Sequence, residues 1–150
     1  MRFDGPAGPP LANGSCPFCD PATQASALAT TEHFYLLADN APLVEGHALI
    51  IPRDHYACFG ALPAVWDDEL LALKGRVERF EIERYRPAIF FEHGVFGQSV
   101  YHAHLHAVPL GPSGLDVHAL AAPDGRPVER LADVRDWWET QGQYFYLESP

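Results

Sequence analysis

Three histidines alternate with apolar residues in the stretch Tyr101-His102-Ala103-His104-Leu105-His106-Ala107-Val108-Pro109. A period of two is that of a β-strand with two chemically different faces. On such a strand the three imidazoles share one face, with neighbours about 6.6 Å apart. On a helix the same spacing would spread them over about 200°. The spacing therefore predicts a strand whose apolar face enters a core while its imidazole face stays open to a ligand. Buried polar groups need partners, so three adjacent imidazoles require a reason to be there. Near neutral pH an imidazole serves as nucleophile, acid or base, and it is a common metal ligand.

The rest of the chain bounds what surrounds this strand. Its 150 residues, 47% of them hydrophobic, are enough for one domain with a real core. We read residues 1–14, with Pro6, Pro9, Pro10, Gly5, Gly8 and Gly14, as a flexible lead-in and residues 15–150 as a single domain. No apolar run approaches the length of a membrane span. The opening Met1-Arg2-Phe3-Asp4-Gly5-Pro6 lacks the apolar stretch of a secretory signal. With only three cysteines and no leader, the expectation is a cytoplasmic protein without a disulfide framework. The net charge of −10, with Lys74 the one lysine, argues against wrapping a nucleic-acid polymer. A single small nucleotide remains compatible, since histidines, hydroxyls and backbone amides can hold its phosphate.

Cys16-Pro17-Phe18-Cys19 is ambiguous between zinc binding, redox chemistry and two ordinary core thiols. A redox pair of the thioredoxin kind sits between a strand and a helix, whereas here a Pro/Gly-rich tail precedes and Asp20-Pro21 follows. A zinc site needs two further ligands from elsewhere. Cys58 has no companion at ligand spacing and reads as buried. His33–Ala38 and Val44–Pro52 read as strands separated by the turn formers Asp39-Asn40-Ala41-Pro42. Leu62–Arg86 reads as the main helix, with Pro63 in its first turn, Asp67, Asp68 and Glu69 near its positive end and an apolar stripe of Trp66, Leu70, Leu73, Val77 and Phe80. Gly75 in its middle costs about 1 kcal/mol against alanine. Ala88–Glu92 reads as a third strand, Leu115–Ala122 and Val134–Trp138 as short helices, and Tyr144–Glu148 as a final edge strand.

The string His102-Ala103-His104-Leu105-His106-Ala107-Val108 resembles the motif of the histidine-triad (HIT) family, His-φ-His-φ-His-φ-φ with φ apolar. Gly97-Gln98-Ser99-Val100-Tyr101 is similar to the segment that approaches it in the nucleotide-binding branch. The resemblance runs from about Ser15 to Pro109. It implies an α+β fold, an antiparallel sheet of about five strands with one long helix, and commonly a homodimer. It implies a nucleotide hydrolase, either a nucleoside phosphoramidase or a dinucleoside polyphosphate hydrolase, that cleaves at the α-phosphate. In that reading His104 is the nucleophile, forming a nucleotidyl-histidine intermediate. His106, His47, Gln98 and Ser99 serve the phosphate side, and Ser99 also assists the leaving group. Asp39, eight residues before His47, holds the ribose hydroxyls. The resemblance also implies one structural zinc held by Cys16, Cys19, His55 (after the strand-ending Ile51-Pro52) and His102.

Two details qualify the resemblance. Transferases of the superfamily tend to carry glutamine at the third triad position, so His106 favours hydrolysis. Many nucleotide-hydrolysing members carry asparagine at the position of Phe91, and this chain departs from them there. The alternatives are a nucleotidyltransferase, a nucleotide-binding or scaffold module without turnover, and a hydrolase whose triad holds a catalytic metal. Against the last, a set of two cysteines and two histidines would be a closed site, and closed sites are structural.

Overall fold

Apolar runs that end in turn chemistry form the sheet. The computed structural model describes residues 16–111 and 125–150. The expected lead-in and the expected helix at Leu115–Ala122 lie outside these residues. Strand β2 (Phe34–Ala38) pairs antiparallel with β3 (Ala48–Pro52), whose five residues are all buried. The hairpin opens with Asp39, whose Oδ1 accepts the Ala41 N–H at 2.8 Å, the local bond that makes aspartate a turn former. It closes at Gly46, which has φ +92°; a Cβ there would lie 2.9 Å from the Tyr85 ring. That position takes glycine on both counts.

β3 continues the sheet to β5 (Leu105–Val108), and β5 to β4 (Ile89–Glu92). A two-residue strand β1 (Ala29–Thr30) lies against β2, and β6 (Tyr146–Glu148) lies against β4. The sheet is six-stranded and antiparallel, in the order β1-β2-β3-β5-β4-β6. The architecture is the expected α+β one, with β1 added at one edge; a strand of two residues is too short to show periodicity. β5 is central but shorter than expected: it begins at Leu105, so of the three histidines only His106 lies on it, while His102 and His104 precede it, with the His102 N–H turned back to the Val100 carbonyl at 2.9 Å. Its register places Leu49, His106 and Phe91 side by side in one row. The neighbouring row, Ile50, Leu105 or Ala107 and Phe90, points to the opposite face and joins the core cluster with Leu70, Leu73 and Val77 of the long helix.

That helix, α2, spans Asp67–Arg84 and starts later than Leu62. The segment before it forms two short 3-10 turns, Phe59–Ala61 and Ala64–Trp66. Leu62 between them is extended at φ −73°, ψ 147°, as steric pressure from Pro63 requires. The buried stripe is Leu70, Leu73, Val77 and Glu81, while Phe80 is 51% exposed. The four-residue step from Val77 lands on Glu81, so position on the helix overrides residue type. Gly75 faces open space.

Two helices flank the sheet. α1 (Pro21–Ala25) begins at Asp20, whose side chain accepts the Ala22 N–H at 2.9 Å; an aspartate cap followed by proline is a helix start. α3 (Leu131–Gln141) is longer than the expected Val134–Trp138, running from the Asp133 carboxylate that accepts the Glu129 and Arg130 N–H groups to left-handed Gly142. Arg135 pins it to α2 through two bonds to Asp67, at 2.8 and 2.5 Å. Among the described residues no helix is long and apolar enough to cross a membrane.

Candidate functional site

Hydrogen bonds fix the proton positions on the histidine face. His104 Nδ1 lies 2.7 Å from the His102 carbonyl oxygen. A carbonyl only accepts, so Nδ1 carries the proton and Nε2 presents a bare lone pair. His102 Nε2 donates in the same way to the Pro52 carbonyl at 2.8 Å, leaving Nδ1 free as a ligand atom. His47 differs: its Nδ1 accepts the Leu43 N–H at 3.1 Å, so the proton of the neutral ring is on Nε2. That nitrogen lies 2.9 Å from His106 Nδ1 and 3.4 Å from Asp39 Oδ2. His47 donates to His106, whose own proton is therefore on Nε2. Asp39, His47 and His106 bring three donor atoms together, but with this proton in place they form a hydrogen-bonded chain.

The imidazole face is more closed than the spacing predicted. His102 is fully buried and His104 is 6% exposed, because Phe18 from the Cys-x-x-Cys turn packs edge-on against both rings, at 5.7 and 5.4 Å. The accessible side is formed by half-buried His106, Phe91 and His93. Burial holds the pKa of His104 and of His47 below the ordinary imidazole value. It lowers His106 to about 3, with the charges of His104, His47 and His93 adding to the effect. Burial is also the main cause that brings His102 to about 4. The triad is therefore neutral at neutral pH, as a histidine nucleophile must be.

Four side chains converge behind the triad. Cys16 Sγ lies 3.3 Å and Cys19 Sγ 3.5 Å from His102 Nδ1, and Cys19 Sγ lies 3.5 Å from His55 Nδ1. All four ligand atoms fall within 4.8 Å of one another. Tetrahedral zinc, with bonds of about 2.3 Å to sulfur and about 2.0 Å to nitrogen, sets S···N edges near about 3.5 Å. The residues fit such an ion, and the bond from His102 Nε2 to Pro52 is the outer contact that orients a ligating ring. Burial, with the adjacent Cys16 thiol, pushes the Cys19 thiol up to about 11. Cys58 is buried apart from this group.

Gln98 is buried and its Nε2 donates to the Ala57 carbonyl at 3.1 Å, whereas Ser99 is exposed on the same loop. The structure also brings in residues outside the expected set. Phe91 stacks on His106, and Phe145 from the C-terminal segment stacks beyond it at 6.1 Å. His93 touches Phe91, His106 and Phe145. The sequence signal for this group was the departure at Phe91 and the histidine two residues on; nothing local pointed to Phe145.

A family model described as the HIT domain matches residues 21–112. The chain is 28% identical over 115 residues to an uncharacterised 16.1 kDa HIT-like protein of Mycoplasma pneumoniae, covering 70% of this chain and 78% of that one. Its structure resembles that of a hypothetical protein from Leishmania major, with a TM-score of 0.60 at 20% identity, covering 85% of this chain and 94% of the other. It also resembles a HIT family hydrolase from Legionella pneumophila, with a TM-score of 0.51 at 23% identity over 63% of this chain and 91% of that one. At these identities the structural likenesses establish a shared fold.

Proposed function

The chain belongs to the HIT domain family, and on that premise we propose that it is a nucleotide hydrolase that cleaves a nucleoside monophosphate from a leaving group at the α-phosphate. One observation carries the reading: His104 is held neutral, with Nδ1–H spent on the His102 carbonyl and the Nε2 lone pair free.

In this reading Nε2 attacks the phosphorus and the leaving group departs, giving a nucleotidyl-histidine that water then hydrolyses. Covalent catalysis of this kind replaces one difficult displacement by two easier ones. His106, its Nδ1 occupied by His47, directs Nε2–H at a phosphate oxygen. The chain Leu43 N–H to His47 to His106 sets that direction before substrate arrives, which is what electrostatic preorganisation requires. Ser99 offers a hydroxyl to the phosphate from the exposed loop, and Gln98 supports that loop through Ala57. Asp39, beside His47, takes the ribose hydroxyls. Cys16, Cys19, His55 and His102 hold one structural zinc. When bound, it ties the N-terminal turn to the segment after β3 and to the start of the triad.

The test is to incubate the protein with nucleoside phosphoramidates and dinucleoside polyphosphates and to follow release of monophosphate. The parent should turn over at least one class. His104→Ala should lose several orders of magnitude in rate while still folding. A His104→Ala protein as fast as the parent would remove the histidine mechanism.

A further inference from the structure

His93 lies in a loop with hydrogen bonds of its own. Its carbonyl accepts the Phe96 N–H at 2.8 Å, and its own Nδ1 lies 3.0 Å from the Phe96 carbonyl oxygen. As at His104, a carbonyl partner puts the proton on Nδ1 and leaves Nε2 uncommitted. The loop is tied to the C-terminal segment, with Tyr144 N–H donating to the Gly94 carbonyl at 3.2 Å and Val95 bridging to Tyr144. Val95 holds φ +78°, a left-handed conformation costly for a β-branched residue and characteristic of functional sites. The His93 ring is placed against Phe91, Phe145 and His106, with its centroid 6.1 Å from that of His106.

The other imidazoles at the site are committed. His104 Nε2 is the nucleophile and its Nδ1–H is spent. His47 and His106 pass one hydrogen bond along a chain, and burial keeps both neutral. Yet breaking a P–N or P–O bond to a poor leaving group requires a proton on the departing atom.

We propose that His93 is a further catalytic residue, the general acid that protonates the leaving group and the base that then activates water; this rests on the nucleotide-hydrolase reading above. Imidazolium His93 starts the cycle with protons on both nitrogens. His104 Nε2 forms its bond to phosphorus while the bond from phosphorus to the leaving atom breaks. The electron pair goes to that atom, which takes the Nε2 proton of His93. In the second step water bonds to phosphorus and gives one proton to His93 Nε2. The bond from phosphorus to His104 breaks with its pair returning to His104, and His93 is imidazolium again.

The experiment compares two nucleoside monophosphate derivatives in the first turnover. One is an aliphatic phosphoramidate, whose amine must leave protonated. The other is a p-nitrophenyl ester, whose phenolate leaves without a proton. His93→Gln retains a donor for the Phe96 carbonyl but has no transferable proton; His93→Ala is the second variant, and melting temperatures check both. Amine release should fall by about 10²-fold or more, while the burst of p-nitrophenolate keeps the parent's rate. Equal losses on both substrates, or none on either, in a folded variant of an active parent would overturn the role of His93 alone. A parent that releases monophosphate from neither substrate would overturn the nucleotide reading and this inference with it.

Discussion

The ring of Phe91 lies flat on the ring of His106, with centroids 4.3 Å apart and planes 10° apart. The two residues are cross-strand partners on β4 and β5, so the stack is built into the register. An asparagine there would offer hydrogen bonds; this ring offers cover. Phe91→Ala should uncover His106, which burial holds at about 3, and let its pKa rise toward the ordinary value of about 6.5. At about pH 5 the parent's His106 is neutral and the variant's is then largely charged, so the variant should lose activity in mild acid where the parent does not. An NMR titration of the His106 ring protons checks this; an unchanged midpoint would mean that the strands alone exclude water.

Asp39 makes two different contacts, one to its own turn through Oδ1 and one toward His47 through Oδ2. If it also binds ribose, Asp39→Ala should weaken ribonucleotide binding by about one to two decades, since charge-assisted bonds contribute roughly 1.5–3 kcal/mol. Deoxyribonucleotide binding should fall by less. Calorimetric titration with both sugars separates the outcomes, and equal losses would leave Asp39 as a turn former only.

Protein purified without added metal should contain about one zinc per chain by elemental analysis, and Cys16→Ser should hold half of it or none. Because thiols and imidazoles must lose protons to bind, the metal should leave as the pH falls. Chelator should lower the melting temperature before it stops catalysis. A metal-free parent indifferent to chelator would reduce the four residues to ordinary packing.

Glu92 is wholly buried and its pKa is raised to about 8 by desolvation, against the bonds from Tyr144 and from the Phe59 N–H. A raised folded-state value means that the folded protein keeps a proton the unfolded chain releases above about 4.5. Stability should therefore fall as pH rises from about 4.5 to about 8, and then level. At roughly 1.4 kcal/mol per pKa unit the loss is at most about 5 kcal/mol. The lowered values of His102 and His106 act oppositely, costing stability as pH falls below about 6.5. Urea midpoints measured across this range should decline on the alkaline side in the parent and stay flatter there in Glu92→Gln. Matching slopes would place the ionisation elsewhere.

The alternation of His102, His104 and His106 was enough to locate the central strand, but β5 begins only at Leu105, so the period-two reading holds for His106 and not for the two histidines before it. It could not show that Phe18 closes over His104, since that contact joins residues far apart in the chain. The Cys16, Cys19, His55 and His102 cluster was legible only through a family resemblance; no local spacing links His55 to a cysteine turn. The helix was overextended at its start because Pro63 suits a first turn as well as it suits an extended pre-helix segment. Phe80 was misplaced because an apolar residue was preferred to the geometrically correct Glu81. Asp20-Pro21 counted against a helix directly after the cysteines, although the same pair caps one.

Tyr144 bridges to Val95, donates to Gly94 through its backbone and to Glu92 through its hydroxyl, and accepts from the Gly60 N–H. It lies beyond the stretch that the family model matches. A chain grows from its N-terminus, so every histidine of the site emerges from the ribosome before the tyrosine that anchors the His93 loop. Until that residue clears the exit tunnel, the loop lacks the contacts that Tyr144 makes to Gly94 and Val95. The segment that sets the loop is thus synthesised after every histidine of the site.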